Sequence, residues 1–375
     1  MENLRKRLLE RKEKGNLRTL MVGKGLTDFF SNDYLGLARS PELAESIRKE
    51  YEKHRDNLNG STGSRLLSGN HEYFGDLENY LAKLFHAESA LLFNSGYNAN
   101  LSILSAVPQK DDTIIYDELI HASLKDGARL SFAKRFSFAH NDIADLEAKI
   151  ERASGQVFVV IESVYSMDGD TAPVKEILTI CERYGAALIV DEAHSTGVWG
   201  EDGNGLLCRL GLEKYVFARI HTFGKAMGVH GACICGSKEL TDFLINFARP
   251  FIYTTALPLH ALISIRKSFE YLSANLALQE KSRQTVSLFK AGLKSLEGRL
   301  IESESPIQAL KIGGNGQTKK MATDIRVKGF DVRPILSPTV KEGEERLRIC
   351  LHTYNTKEEI QGLTALINIL TLKPA

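Results

Sequence analysis

The sequence predicts an α/β protein with a mostly parallel sheet covered by helices on both faces and a second, smaller α+β unit. Three observations carry this. Short, continuous apolar runs such as Val157-Phe-Val-Val-Ile161 alternate with longer amphipathic stretches between residues 71 and 191. Strands read this way when both faces of their sheet are buried. Past residue 258 the alternation gives way to a helix-rich stretch and then to short mixed elements, and 375 residues exceed what one hydrophobic core usually organises.

The elements follow in order. A helix is expected over about 2–14, then a short extended piece at Leu26–Ser31, and a helix after Pro41, a residue suited to a first turn. Residues 59–69, Asn-Gly-Ser-Thr-Gly-Ser-Arg-Leu-Leu-Ser-Gly, have no periodicity and read as a loop, either a connector or a segment approaching a ligand. Helices at 71–86, from Gly96, from about 121, at 142–153 and at 173–184 alternate with strands at Ala90–Phe93, Thr113–Tyr116, Lys134–Phe138, Val157–Ile161 and Ala187–Asp191. Strand-like runs at 215–221 and 231–236 precede helices over 258–296. The smaller unit then reads as Ile307–Ile312, a helix at 317–327, Val332–Leu336, Arg346–Leu351 and a helix at 356–370. The expected division is 1–39 joined to the small domain, 40–255 as the large domain, and 256–375 as linking helices plus the small domain.

Composition narrows the function. With 48 basic and 47 acidic residues, no global field draws the chain to nucleic acid or to a membrane surface. The stretch Pro250–Ile265 is shorter than the roughly 20 apolar residues that span a bilayer. The first twenty residues alternate charge with leucine, which suits an amphipathic surface helix better than a secretory or transit leader. A soluble, cytoplasmic protein is expected. The five cysteines are scattered; Cys233 and Cys235 should face one side of a strand as small apolar groups, and no metal site is expected.

Chemistry concentrates where strands end, the edge at which open α/β sheets bind ligands. Asp191 closes one strand, Glu192-Ala193-His194 follow, and Lys225 lies 34 positions beyond Asp191 in Thr222-Phe-Gly-Lys-Ala-Met-Gly228. A lysine in a Gly-rich turn is usually a surface residue, and an acid after a strand is often a helix N-cap. Together they suit pyridoxal phosphate (PLP). The lysine amine can form a Schiff base with the aldehyde, and the acid can keep the pyridine nitrogen protonated so that the ring accepts electrons. Ser95-Gly96-Tyr97 opens a helix after a strand, where free amides suit a phosphate, and Thr222 can add a hydroxyl. His121 can stack on a conjugated ring or cap its helix; His194 can reach the cofactor's phenolic oxygen or remain a satisfied loop histidine.

These segments, taken in order, resemble the α-oxoamine synthase family of PLP-dependent acyltransferases. The matching stretches are Ser31-Asn32-Asp33-Tyr34-Leu35-Gly36-Leu37, Phe93–Asn100, His121-Ala-Ser-Leu124, Val164–Pro173, Val190–Gly197, Thr222–Lys225 and Arg346-Leu-Arg348. The resemblance implies a homodimer of PLP fold type I that condenses an amino acid with an acyl thioester, releasing thiol and carbon dioxide. By position it makes Lys225 the Schiff-base lysine, Asp191 the pyridinium partner and His121 the stacking histidine, which also meets substrate. Ser166, His194, Thr222, Gly96 and Tyr97 become cofactor contacts. Arg348 becomes the clamp on the amino acid carboxylate, a two-pronged grip that lysine cannot reproduce; Asn32, Thr339 and Arg18 become substrate contacts. Released by substrate, Lys225 can act as general base, while Asp191 stabilises charge developing on the ring.

The stretches Met167–Pro173 and Phe93–Tyr97 resemble the alanine-using member of the biotin pathway most. L-alanine and a pimeloyl thioester, carried on coenzyme A or an acyl carrier protein, are therefore the expected substrates. A relative using glycine or serine with another acyl-CoA is the alternative. Glu192 in place of a frequent second aspartate, His230 where serine or glycine is common, and the Gly60–Leu67 loop depart from the family pattern.

Overall fold

A computed structural model describes residues 2–18, 20, 25–54 and 59–372. They form two compact units. The larger comprises Asn32–Ser166 and Asp170–Ser282; the smaller comprises Met1–Ser31, Met167–Gly169 and Arg283–Ala375.

The larger unit is built on seven strands: β1 Ser89–Phe93, β2 Thr113–Asp117, β3 Lys134–Phe138, β4 Val157–Glu162, β5 Ala187–Asp191, β6 Ala218–Thr222 and β7 Ala232–Gly236. Their order across the sheet is β1-β7-β6-β5-β4-β2-β3. Only β7 runs against its neighbours; the other contacts are parallel. The apolar runs behave as their composition requires. Val159, Val160 and Ile161 on β4 and Ile189 and Val190 on β5 are fully buried in one cluster with helix residues Ile103, Leu124 and Ile177. Each such side chain is worth roughly 1.5–3 kcal/mol of transfer free energy, so these central strands hold the sheet.

The division differs from the expected 40–255 at both ends. Asn32–Arg39 and the helix Leu259–Ser273 belong to the larger unit. The helix buries Leu262, Ile263, Ile265 and Phe269, and the Phe269 ring meets Phe85 and Phe223 edge-on, each with centroids 5.6 Å apart. That apolar face, which periodicity alone assigned to a linker, is satisfied within the larger unit. The loop at 59–69 is anchored by Arg65, which donates to both carboxylate oxygens of Glu78 (2.8 and 3.0 Å) and lies over the Phe74 ring.

The smaller unit carries an antiparallel sheet of β8 Ile307–Lys311, β9 Arg333–Ile335 and β10 Arg346–Cys350, ordered β9-β10-β8. Leu310, Leu347 and Ile349 share a core with Ile325, Leu363 and Ile367 of two helices. Thr27–Asp28 pairs in parallel with Phe330–Asp331, which ties the N-terminal segment to this unit. Met167–Gly169 joins it through an Asp168–Arg346 ion pair and the Ser303 hydroxyl, which donates to the Gly169 carbonyl at 2.8 Å. Gly169 has φ +78°, and a Cβ there would stand 2.1 Å from the Ile307 carbonyl oxygen, so no side chain fits. Among the described residues no helix is long and apolar enough to cross a membrane.

Candidate active site

Parallel strands finish at one edge. The carboxyl ends of β1, β4, β5 and β6 therefore present Ser95, Glu162, Asp191 and Thr222 together, and antiparallel β7 starts beside them after His230-Gly231. These residues line a cavity of about 230 Å³. It gathers Asn32, Gly96, Tyr97, His121, Asp191, Thr222 and Lys225, residues spread over nearly two hundred positions.

One end of the cavity is shaped for an anion. Ser95 caps the helix Gly96–Ala106, its hydroxyl accepting from the Asn98 N–H at 3.3 Å. Thr222 Oγ1 is buried without a partner. A Cβ at position 96 would lie 2.3 Å from Thr222 Cγ2, so only glycine leaves this space open. Tyr97 is partly exposed and donates its hydroxyl to Asp126 at 2.8 Å.

On the cavity floor, Asp191 is buried. Its Oδ2 accepts from the Asn100 amide at 2.8 Å and its Oδ1 from the Ala193 N–H at 2.9 Å. His121 caps the helix Ala122–Leu130, with Nδ1 accepting from the Ser123 N–H at 3.2 Å. His121 thus caps its helix and also lines the cavity. Lys225 Nζ lies 2.9 Å from His194 Nε2. His194 Nδ1 lies 2.8 Å from the Tyr34 hydroxyl, which donates to Asn32 Oδ1 at 3.0 Å.

Ser166 does not stand in the cavity wall. Its N–H donates to Glu162 Oε2 at 3.1 Å, and Glu162 lines the cavity. Burial, reinforced by the charge of Asp191 and opposed by Lys225, pushes the Glu162 carboxyl up to about 8. The segment bearing Ser166 is held by His140, whose ring nitrogens face Asp117 (3.0 Å) and Asp170 (2.8 Å). Burial works against the charged ring, but hydrogen bonds to those two carboxylates outweigh it and raise the imidazole pKa to about 10.

Three expected substrate contacts belong to the smaller unit. Arg348 is buried on β10 and its Nη1 lies 2.9 Å from Cys350 Sγ. Thr339 is exposed, its N–H donating to the Leu336 carbonyl. Arg18 is exposed in an irregular segment. Glu162, Asn100, Ser123 and Tyr34 had no assigned role in the sequence reading. Glu162 alone had a usable signal, an acid closing an apolar strand as Asp191 does; a single Asn or Ser within a helix carries none.

The aminotransferase class I and II family model matches residues 24–365. An 8-amino-7-oxononanoate synthase of Emericella nidulans is 41% identical, over 96% of this chain and 93% of that one. Another, of Marinobacter nauticus, is 36% identical over 97% and 95%. The chain belongs to the 8-amino-7-oxononanoate synthase family. Among solved structures, the Francisella tularensis family member superposes with TM-score 0.80 at 28% identity, covering 93% of this chain and 98% of that one. A serine palmitoyltransferase variant of S. paucimobilis with a bound PLP–myriocin aldimine gives 0.89 at 26%, covering 98% and 96%.

The fold is accordingly that of the type I PLP enzymes, and PLP is the cofactor of this synthase family. The cavity fits it on independent grounds. Unpartnered Thr222 Oγ1 and the amides opening the Gly96 helix suit a phosphate, the space at Gly96 is kept clear by the missing Cβ, and a buried carboxylate and an amine face the same volume.

Proposed function

We propose that this chain catalyses the decarboxylating condensation of L-alanine with a pimeloyl thioester, giving 8-amino-7-oxononanoate, carbon dioxide and free thiol in biotin biosynthesis. The reading is carried by one observation: a buried carboxylate closing β5, an unsatisfied hydroxyl closing β6 and an amine in the turn after β6 border one cavity in a chain 36–41% identical to named synthases.

When bound, PLP supplies an electrophilic carbon and an electron-accepting ring. In this reading Lys225 would anchor the cofactor through Nζ, Asp191 would hold a proton on the ring nitrogen, and His121 would stack against the ring. Thr222, Gly96 and Tyr97 would bind at the phosphate end, His194 would steady the ring oxygen, and Ser166 would act on the ring from behind the wall, through Glu162. Once released, Lys225 Nζ takes the alanine Cα proton, with His194 Nε2 at 2.9 Å as the neighbouring base. The Cα then bonds to the thioester carbonyl carbon, thiolate departs, and the alanine carboxyl leaves as carbon dioxide, the electron pair left at Cα taking back the proton that Lys225 Nζ had removed. Arg348 grips that carboxylate beforehand, with Asn32, Thr339 and Arg18 contacting substrate.

The donor thiol belongs to coenzyme A or to an acyl carrier protein; Arg5, Lys6, Arg7, Arg11 and Lys12 on a helix without buried residues suit either anionic carrier. We further propose a cytoplasmic homodimer, consistent with exposed Leu67, Leu130 and Phe132, which a partner surface would cover.

The high structural similarity to a serine palmitoyltransferase favours a second reading, glycine or serine with another acyl-CoA. Mass spectrometry of products from alanine, glycine and serine, each offered with a panel of acyl thioesters, decides between them. The alanine–pimeloyl product is expected; turnover with serine or glycine alone overturns the assignment.

A further inference from the structure

Two residues with no role in the reading above connect its two ends. Asn100 is buried on the helix Gly96–Ala106, and Ser123 is buried in the first turn of Ala122–Leu130. The Asn100 amide nitrogen stands 2.8 Å from Asp191 Oδ2 and 2.9 Å from Ser123 Oγ. Ser123 Oγ stands 2.7 Å from His121 Nδ1. The polar chain thus runs from Asp191 through Asn100 and Ser123 to His121.

The protons along it have one consistent arrangement. A carboxylate only accepts, so Asn100 turns its NH₂ group, not its oxygen, toward Asp191. The second N–H of that group then points to Ser123 Oγ, which must accept it. A hydroxyl oxygen can accept twice, so the direction at His121 is set by the Ser123 backbone N–H, which donates to Nδ1 at 3.2 Å and so requires a bare nitrogen there, to which the Ser123 hydroxyl hydrogen also turns. With two donors on Nδ1, that nitrogen carries no proton of its own. Loss of water around the ring, against the pull of Asp191 and with the push of Lys225, lowers the His121 pKa, so the neutral ring is the form to assign.

We infer that Asn100 and Ser123 are positioning residues that fix the proton of neutral His121 on Nε2, making that nitrogen a hydrogen-bond donor to an oxygen-bearing ligand of the cavity. The same amide that holds Asp191 in place thereby sets the polarity of the histidine opposite. The usefulness of this donor in turnover rests on the proposed function; the proton's location does not.

The test is long-range ¹H–¹⁵N correlation on the full-length chain labelled at its ten histidines, with and without PLP, His121 being assigned by its loss in His121→Asn. The wild-type ring is expected as the Nε2–H tautomer. Ser123→Ala and Asn100→Ala are expected to give a mixture of tautomers, and Ser123→Thr, which keeps the hydroxyl, to restore the single one. An Nδ1–H or mixed wild-type ring overturns the inference, as does a tautomer unmoved by both alanine variants. The wild-type spectrum decides even where a variant fails to fold. Absence of PLP binding in a parallel titration counts against the proposed function instead, and leaves the cofactor-free spectrum to judge the proton's position.

Discussion

Glu162 and Asp191 stand opposite each other in register on neighbouring parallel strands, and both are buried. Burial raises the Glu162 pKa to about 8 from an ordinary 4.5, and the neighbouring charge of Asp191 adds to the shift.

That relationship sets a pH dependence. Between 4.5 and about 8 the folded chain holds a proton that the unfolded chain has released. Stability from this group is therefore complete at the acid end and declines as pH rises through the folded value. Urea unfolding of the cofactor-free chain across this window should show a slope that Glu162→Gln reduces by up to roughly 1.4 kcal/mol per pH unit. An unaltered slope in the glutamine variant would contradict the assignment.

Borohydride reduction of the PLP-loaded chain should fix the cofactor on Lys225, and Lys225→Ala should eliminate trapped cofactor. Peptide mapping that finds the label on another lysine would remove Lys225 from the anchoring role.

Gly96→Ala should weaken PLP binding by about tenfold or more, because the new Cβ meets Thr222 Cγ2 at 2.3 Å and displacing packed atoms costs about 1–3 kcal/mol. Thr222→Ser removes that methyl and keeps the hydroxyl. The double variant should therefore recover much of the affinity in a fluorescence titration. Equal losses in the single and double variants would show that the collision is not the cause.

Arg348→Ala should raise the KM for the amino acid at least about tenfold while moving that for the thioester far less, as expected for loss of a two-pronged carboxylate contact. Arg348→Lys should rescue little. A parallel rise in both constants would place the arginine elsewhere.

How much of this was legible in the chain follows a physical line. The strands at Thr113, Val157 and Ala187 declared themselves because burial on both faces demands unbroken apolar runs, and they appear within a residue or two of the expected limits. Lys225, Asp191, Thr222 and Gly96 were legible as candidates because each ends or follows a strand, where the edge of a parallel sheet must lie. Asn100 and Ser123 were not: nothing in a helix sequence says which polar side chain turns toward an acid 91 positions away. The helix Leu259–Ser273 was legible as a helix and read as a linking one, whereas its apolar face packs within the larger unit, since periodicity reveals an apolar face without naming what covers it.

The amino-acid order by itself determined the α/β class, the sequence of strands and helices, and the residue types able to bind PLP, because these depend on local periodicity and on chemistry carried residue by residue. Tertiary structure alone decided that Glu162 shares its burial with Asp191, that Thr222 Oγ1 is left without a partner, and that one asparagine joins Asp191 to His121. Those are properties of contacts between distant segments, and the free energy that sets them comes from desolvation and geometry, which no single stretch of chain contains.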